Sequence, residues 1–382
     1  MPAARRDGRA RGHWPHPPVP RPPAGRGARD RGPRGVRGTS TDSRQGHWAG
    51  IPHPARRCAA HWPRAADSAG SRRRNRRPAP APRPRSLPDC RECRCASCLP
   101  DPAGRQGLRR SRPMPRIALN GIELHFERQG DGPPLLALAG MASDSASWQP
   151  LVAGLAAGFD LIRPDNRCTG QTRPIPCPTG REAMLADCLA LMDALRIGRA
   201  HLVGHSMGGM LALHLAARHP DRVASVVVMA STGQAGPLAR AVFAALAALR
   251  SREADRPELF FRLLFPWLFG AGFFADPAAV DEAVAAALAY PHRQPPAAFL
   301  RQVAMLEEFA APPDPGAIRA PVLALAARED PLAPPRTVRA AFAGRPGFAV
   351  SVIPGAGHAL HWEQPDAVLA AIRGFHARLS GK

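Results

Sequence analysis

The five residues Gly204-His205-Ser206-Met207-Gly208 form a pattern that can make a serine nucleophilic. The residues just before them are mostly apolar, as in a short buried strand, and residues 207–219 are helix formers without a proline. A sharp turn from strand to helix lifts the serine hydroxyl clear of a sheet and aims helix N–H groups at developing negative charge. The two flanking glycines let the backbone turn this tightly. The pattern predicts that Ser206 attacks a carbonyl carbon.

A serine nucleophile needs a base, and a histidine on a loop that follows a strand is the usual one. His358 ends the glycine-rich stretch Pro354-Gly355-Ala356-Gly357-His358, which directly follows the last apolar segment. His361 is the nearby alternative, whereas His376 falls within a predicted helix and His205 is expected to point away from the nucleophile. We therefore predict that His358 is the base.

The base in turn needs a carboxylate to orient it, at the end of a preceding strand. Arg328-Glu329-Asp330-Pro331 follows an apolar segment and offers Glu329 or Asp330. We favour Asp330, because the proline after it marks the loop. The chain order is then Ser206, Asp330, His358, as in enzymes that carry the nucleophile on a strand-to-helix turn of this kind.

The elements that position these residues follow from the pattern of residues 114–382. Apolar segments alternate with helical segments of about 10 to 15 residues, which predicts an α/β fold with a mostly parallel sheet and helices on both faces. Asn120-Gly121 predicts a hairpin near the start of this region. No strand is evident in residues 236–318, so we predict an all-helical cap insertion there and a core of residues 114–235 and 319–382.

Residues 114–382 resemble the alpha/beta-hydrolase superfamily at four motifs. They are Gly204-His205-Ser206-Met207-Gly208-Gly209, the loop Asp165-Asn166-Arg167 with Gly170, the loop Asp330-Pro331-Leu332 with Pro334, and Gly357-His358-Ala359 followed by Glu363-Gln364-Pro365.

The resemblance implies an alpha/beta-hydrolase fold in which Ser206 is the nucleophile, His358 the base and Asp330 its orienting acid. It also implies that backbone N–H groups of Met207 and Met141 bind the oxyanion. The sequence departs from the family at two positions. Ala139 stands where many members have His, and Cys168 stands where Gly is usual.

The first 113 residues differ from the rest. They contain 27 Arg, no Lys and 7 acidic residues, and only 6 Leu, Ile, Val and Phe together. So few apolar side chains predict a disordered extension. An arginine-rich arm could bind nucleic acid, and Cys90, Cys93, Cys95 and Cys98 could hold a metal. We favour a third interpretation, in which Met114 is the natural start and residues 1–113 are translated upstream sequence.

Taken together, these features predict a cofactor-independent serine hydrolase that cleaves a small hydrophobic carboxylic ester or lactone through an acyl-enzyme. Carbon–carbon bond hydrolases and the non-haem haloperoxidase or perhydrolase type share these motifs and remain alternatives. A catalytically silent binding module is the alternative from another class. No metal site is predicted in residues 114–382, and the oligomeric state is open.

Two further predictions concern location and substrate. No membrane span and no secretory signal are evident, so we expect a cytoplasmic protein. Six of the 14 Phe lie in residues 258–274. Phe261, Phe265 and Phe269 share one helical face if Pro266 permits a continuous helix, and we expect them to bind the apolar part of a substrate.

Overall fold

The structure, a computed structural model, describes residues 116–252 and 256–381. The predictions for residues 1–113, including the tail's nucleic-acid and metal-site alternatives, therefore lie outside the described residues. The described part begins with the hairpin expected at Asn120-Gly121. Both turn residues have positive φ, at 45° and 74°, the conformation that a tight two-residue hairpin requires.

A sheet of eight strands forms the centre of the fold, in the order β1-β2-β4-β3-β5-β6-β7-β8. The first two strands pair antiparallel to their neighbours, and β3 to β8 are parallel. The strands are β1 (Arg116–Leu119), β2 (Ile122–Gln129), β3 (Pro134–Leu138), β4 (Asp160–Pro164), β5 (Ala200–His205), β6 (Val223–Met229), β7 (Val322–Ala327) and β8 (Phe348–Ile353).

Helices cover both faces of this sheet, because its central strands are apolar on both sides. Every residue of β7 is buried, and so are six of the seven residues of β6. The helices that belong to the sheet are α1 (Gln149–Ala156), α2 (Arg181–Ala194), α3 (Met207–Arg218), α8 (Pro335–Phe342), α9 (Leu360–Glu363) and α10 (Pro365–Leu379). Apolar residues of α2, α3 and α8 pack in one buried cluster, and those of α1 and α10 pack in a second. The predicted α/β-hydrolase fold is confirmed by this architecture.

Four more α-helices lie in the described residues between β6 and β7, and we call residues 230–321 the helical insertion. No strand occurs among the described residues of this segment. Its helices are α4 (Pro237–Arg250), α5 (Glu258–Leu268), α6 (Pro277–Ala289) and α7 (Pro296–Met305). Within the described residues, no helix has the length and apolar character needed to cross a membrane.

Candidate active site

Ser206 occupies the turn between β5 and α3 in a backbone conformation that few residues adopt. Its φ is 53° and its ψ is −115°, and its N–H donates to the Met229 carbonyl at 2.9 Å. Strain of this kind persists only where the surroundings hold it. A Cβ on Gly208 would lie 1.9 Å from the Leu138 carbonyl oxygen, and one on Gly204 would lie 2.2 Å from the Gly208 carbonyl oxygen. Both glycines are therefore required for this turn.

Three side chains from three different strand ends form one hydrogen-bonded chain. His358 Nε2 lies 2.9 Å from Ser206 Oγ, and His358 Nδ1 lies 2.9 Å from Asp330 Oδ2. A carboxylate only accepts, so Nδ1 carries the proton and Nε2 is free to accept the serine proton. The three residues that the sequence analysis selected are thus brought together in the order that proton transfer needs.

Asp330 is held ionised by its neighbours. Its Oδ1 accepts the backbone N–H groups of Leu332 and Ala333 at 2.8 and 2.9 Å. Burial by itself would raise the pKa of this carboxyl, but the charge and hydrogen bond of His358 and the two N–H groups outweigh burial and keep the pKa below its usual range. Asp330 therefore stays negative and fixes the His358 tautomer.

The other candidates for these roles lie elsewhere. Glu329 is exposed and its carboxylate accepts the Ala271 N–H at 2.8 Å. His361 is buried, with its ring 4.5 Å from that of His205. His376 Nε2 lies 3.1 Å from Ser225 Oγ. None of these contacts involves the Ser206 hydroxyl.

His205 has a contact that the sequence did not predict. Its Nε2 lies 2.9 Å from the His358 carbonyl oxygen, and a carbonyl only accepts, so Nε2 donates. The side chain is buried and lines the cavity above Ser206. His205 therefore braces the loop that presents His358.

The turn after β3 carries the predicted oxyanion donor Met141, and a buried amide from the helical insertion supports it. Gln302 on α7 is fully buried, and its Oε1 accepts the Ala142 N–H at 3.1 Å. Ala142 has a φ of 57°, an unfavourable conformation for a residue with a Cβ. The Gln302 Nε2 donates to the Arg167 carbonyl at 3.2 Å. Gln302 thus joins the turn at Met141 to the loop after β4.

The loop at residues 165–170 also binds the segment that follows β3. The Asp165 carboxylate accepts the Ser145 N–H at 2.8 Å and the His125 Nδ1–H at 2.9 Å. Asn166 Nδ2 donates to the Ala139 carbonyl at 3.1 Å. These contacts give the sequence motif Asp165-Asn166-Arg167 a structural role beside the site.

Cys168, which replaces the usual Gly, has a φ of 65° and therefore occupies a left-handed conformation that favours Gly. Its sulfur lies 3.4 Å from that of Cys177, and both side chains are buried. Across the described residues, no group of three or more His, Cys, Asp or Glu side chains could hold a metal ion.

A cavity of about 200 Å³ lies above Ser206, between the sheet and the helical insertion. Its apolar wall comes mainly from α4 and α5 and includes all three phenylalanines predicted to bind substrate. This wall is formed by Phe243, Phe261, Leu264, Phe265, Leu268 and Phe269. Pro266 lies inside α5, and Phe269 directly follows its end.

The cavity also has polar lining residues, which include Tyr290, Asp144 and Arg293. The Tyr290 hydroxyl donates to Asp144 Oδ2 at 2.7 Å. Burial, together with the charge of Asp165, raises the pKa of Asp144 to about 6, although the hydrogen bond from Tyr290 opposes the rise. Tyr290 therefore links the helical insertion to the turn after β3, a contact that no motif in the sequence indicated.

The chain is similar to known proteins both in sequence and in structure. A family model described as alpha/beta hydrolase fold matches residues 133–365. A protein of Agrobacterium fabrum with the provisional name carbamate hydrolase RutD is 28% identical over 250 residues, which are 64% of this chain and 93% of that protein. A protein of Mycobacterium tuberculosis with the provisional name non-heme bromoperoxidase BpoC is 32% identical over 262 residues, or 67% and 98% of the two chains. The solved structure of a thermophilic esterase from Thermogutta terrifontis is similar with a TM-score of 0.60 and 28% identity, over 69% of this chain and 98% of the esterase.

Proposed function

Because the chain belongs to the alpha/beta hydrolase family, we propose that it is a serine hydrolase whose triad is Ser206, His358 and Asp330. The observation that carries this proposal is the continuous chain of two hydrogen bonds, each 2.9 Å long, from Asp330 through His358 to Ser206. The lowered pKa of Asp330 supports the orienting role, since an ionised carboxylate stabilises the imidazolium that forms during attack.

The first step is attack of Ser206 Oγ on the substrate carbonyl carbon. His358 Nε2 takes the serine proton as the new carbon–oxygen bond forms, and the carbonyl oxygen becomes an oxyanion. The Met207 N–H is at the start of α3, where the first N–H groups have no partner within the helix. The Met141 N–H has no hydrogen-bond acceptor among residues 116–252 and 256–381. These two groups are the proposed oxyanion donors.

The second step releases the first product and then regenerates the enzyme. His358 gives its proton to the leaving oxygen as the ester bond breaks, which leaves the acyl group on Ser206. Water then attacks the acyl carbon while His358 takes its proton; the bond from the acyl carbon to Ser206 Oγ breaks, His358 gives the proton to Oγ, and the acid product leaves. Side chains and water of this site supply every proton that the cycle needs.

The cavity supports a small substrate with an apolar acyl or ring part. Its phenylalanine-rich wall lies over Ser206, and the similar Thermogutta structure is an esterase. Each methylene buried there contributes about 0.8 kcal/mol at most, so kcat/KM should rise with acyl length until the cavity is full. The helical insertion acts in this proposal as the cap.

Hydrolysis of a carbamate is a second candidate, favoured by the provisional names of similar proteins. The same serine would attack the carbamate carbonyl, and His358 would protonate a leaving nitrogen or oxygen. Ester and carbamate substrates with the same apolar group separate the two candidates directly.

The test is turnover by purified full-length protein and by its Ser206→Ala variant. The substrates are esters from acetyl to octanoyl, lactones and matched carbamates. We expect ester or lactone turnover that rises with apolar size and falls at least about 10³-fold in the variant. A variant that keeps a tenth of the activity, or a wild type that cleaves none of these substrates, would overturn the proposal.

A further inference from the structure

The loop that carries His358, residues 354–359, is in direct backbone contact with residues 268–271 of the helical insertion. We call the first the base loop and the second the insertion strap. The Ala359 N–H of the base loop donates to the Leu268 carbonyl of the strap at 2.7 Å. A Cβ on Gly357 would lie 2.7 Å from the Gly270 nitrogen. The two backbones therefore approach so closely that no side chain fits between them at Gly357.

Glu363, on the short helix α9, places a carboxylate across this contact. Its Oε2 accepts the Gly357 N–H of the base loop at 2.7 Å. Its Oε1 accepts the Gly270 N–H of the insertion strap at 3.0 Å. Each oxygen thus binds a different one of the two segments. The ionised carboxylate can accept a hydrogen bond at both oxygens, whereas the protonated carboxyl carries a hydrogen on one of them.

We propose that Glu363 is a positioning residue whose carboxylate fastens the base loop to the insertion strap, so that His358 faces Ser206 while the insertion covers the cavity. The proposal rests on the proposed function, because it assigns Glu363 a part in presenting the catalytic base. The strap includes Leu268 and Phe269, which line the cavity. Glu363 therefore couples the position of the base to the wall that contacts substrate.

Protonation of Glu363 would release one of its two partners. Burial raises the pKa of Glu363 to about 7; the N–H groups of Gly357 and Gly270 oppose the rise, and the charge of Glu329 adds to it. A protonated carboxyl carries a hydrogen on one oxygen, and that oxygen then faces an N–H donor. Glu329 is the charged residue whose field acts on Glu363. In the chain, the base loop also carries His358 and α9 also carries His361, whereas the strap has no ionisable side chain.

Glu329 offers a matched control. Its carboxylate accepts the Ala271 N–H of the same strap at 2.8 Å. It is exposed, and its side-chain hydrogen bond goes to the strap and not to the base loop. Glu329→Gln therefore removes a charge and weakens one strap contact, while the base loop keeps its carboxylate partner.

The first measurement is kcat/KM of the full-length wild type, Glu363→Gln and Glu329→Gln between about pH 5.5 and 8.5. Each variant is compared with wild type at the same pH. At high pH we expect Glu363→Gln to be about 10-fold or more below wild type, mostly in kcat, since small shifts of a catalytic group are costly. The ratio should approach one at low pH, where the wild-type carboxyl is itself protonated. Glu329→Gln should stay within about 3-fold of wild type throughout.

A ratio for Glu363→Gln that does not change with pH, or an equal loss in Glu329→Gln, would overturn the proposal. The second measurement does not depend on turnover. Amide hydrogen exchange at one fixed pH of about 8.5 should be faster in Glu363→Gln for peptides of both the base loop and the strap. In Glu329→Gln only the strap peptide should change. Unchanged exchange in Glu363→Gln overturns the proposal even if esters are cleaved, whereas a wild type that cleaves none of the esters, lactones and carbamates overturns the proposed function alone.

Discussion

Glu329 and Asp330 are adjacent carboxylates in very different surroundings. Asp330 is buried and accepts three hydrogen bonds, one of them from the His358 ring. Glu329 is exposed and accepts one N–H from the helical insertion. A single step along the chain after β7 therefore separates a carboxylate that can fix a histidine tautomer from one that cannot.

Asp330→Asn should lower kcat by about 10³- to 10⁴-fold, because an amide at this position can hold His358 in the wrong tautomer. The measurement is steady-state turnover of the best ester substrate, with thermal melting to establish that the variant is folded. Glu329→Gln is the control and should lose no more than a few-fold in rate. If Glu329→Gln is the more damaged variant, the orienting carboxylate has been wrongly assigned.

At the scale of elements, α7 carries one of the contacts that join the helical insertion to the turn at Met141. Gln302 accepts a hydrogen bond from the Ala142 N–H on that turn and donates one to the Arg167 carbonyl on the loop after β4. Its Oε1 also accepts from Gln294 Nε2 at 3.0 Å. A buried amide with partners on three segments specifies their relative positions, since the Ala142 N–H and the Arg167 carbonyl would otherwise lose this hydrogen bond.

Gln302→Met should therefore cost both stability and rate. Methionine has a similar length but leaves the Ala142 N–H and the Arg167 carbonyl unpaired, which should destabilise the fold by about 1–3 kcal/mol. We also expect kcat to fall by about 10-fold or more, because the turn carries a proposed oxyanion donor. Denaturant unfolding and steady-state kinetics measure the two effects. Arg301→Met, an exposed neighbour on the same helix, is the control, and equal effects in both variants would contradict the role of Gln302.

At the scale of the whole molecule, the sequence predicted those features that depend on neighbouring residues. The hairpin at Asn120-Gly121 follows from two residues that tolerate positive φ. The turn at Ser206 follows from glycines whose Cβ atoms would collide with backbone. The buried strands β6 and β7 follow from unbroken apolar runs. The family and its fold could therefore be identified from short motifs alone.

The remaining contacts depend on how distant segments meet, and the sequence pattern does not contain that information. Gln302 lies 160 residues after Ala142, and Tyr290 lies 146 residues after Asp144. A buried glutamine on an amphipathic helix has no signature that separates it from a surface residue. Glu363 was visible as part of a motif, but its two backbone partners are defined only when the helical insertion packs on the base loop.

The pH dependence of stability is also a property of the whole molecule. Burial lowers the pKa of six histidines, which are His201, His205, His214, His292, His361 and His376. Below about pH 6.5 their unfolded forms bind protons more readily than their folded forms do. Asp144 and Glu363 act in the opposite direction, because their raised pKa values favour proton binding by the folded state.

Since these histidines outnumber the two carboxyls, the unfolded chain should bind more protons than the folded one as pH falls from about 7 to 5. The free energy of unfolding should decrease over this window with a slope on the order of 1 kcal/mol per pH unit, the contribution of one net proton. Denaturant unfolding at a series of pH values measures the slope. Circular dichroism at each pH establishes that the protein is folded before denaturant is added. Stability that is flat or rises on acidification would contradict the assignment of buried neutral histidines.

The central claim is that Ser206 is a nucleophile activated by His358. The most direct measurement is covalent labelling with a fluorophosphonate, followed by peptide mass spectrometry of wild type, Ser206→Ala and His358→Ala. We predict one phosphonyl adduct per chain on the peptide that contains Ser206, no adduct in Ser206→Ala and labelling at least about 10²-fold slower in His358→Ala. An unlabelled wild type, an adduct on another residue, or equally fast labelling without His358 would contradict the claim.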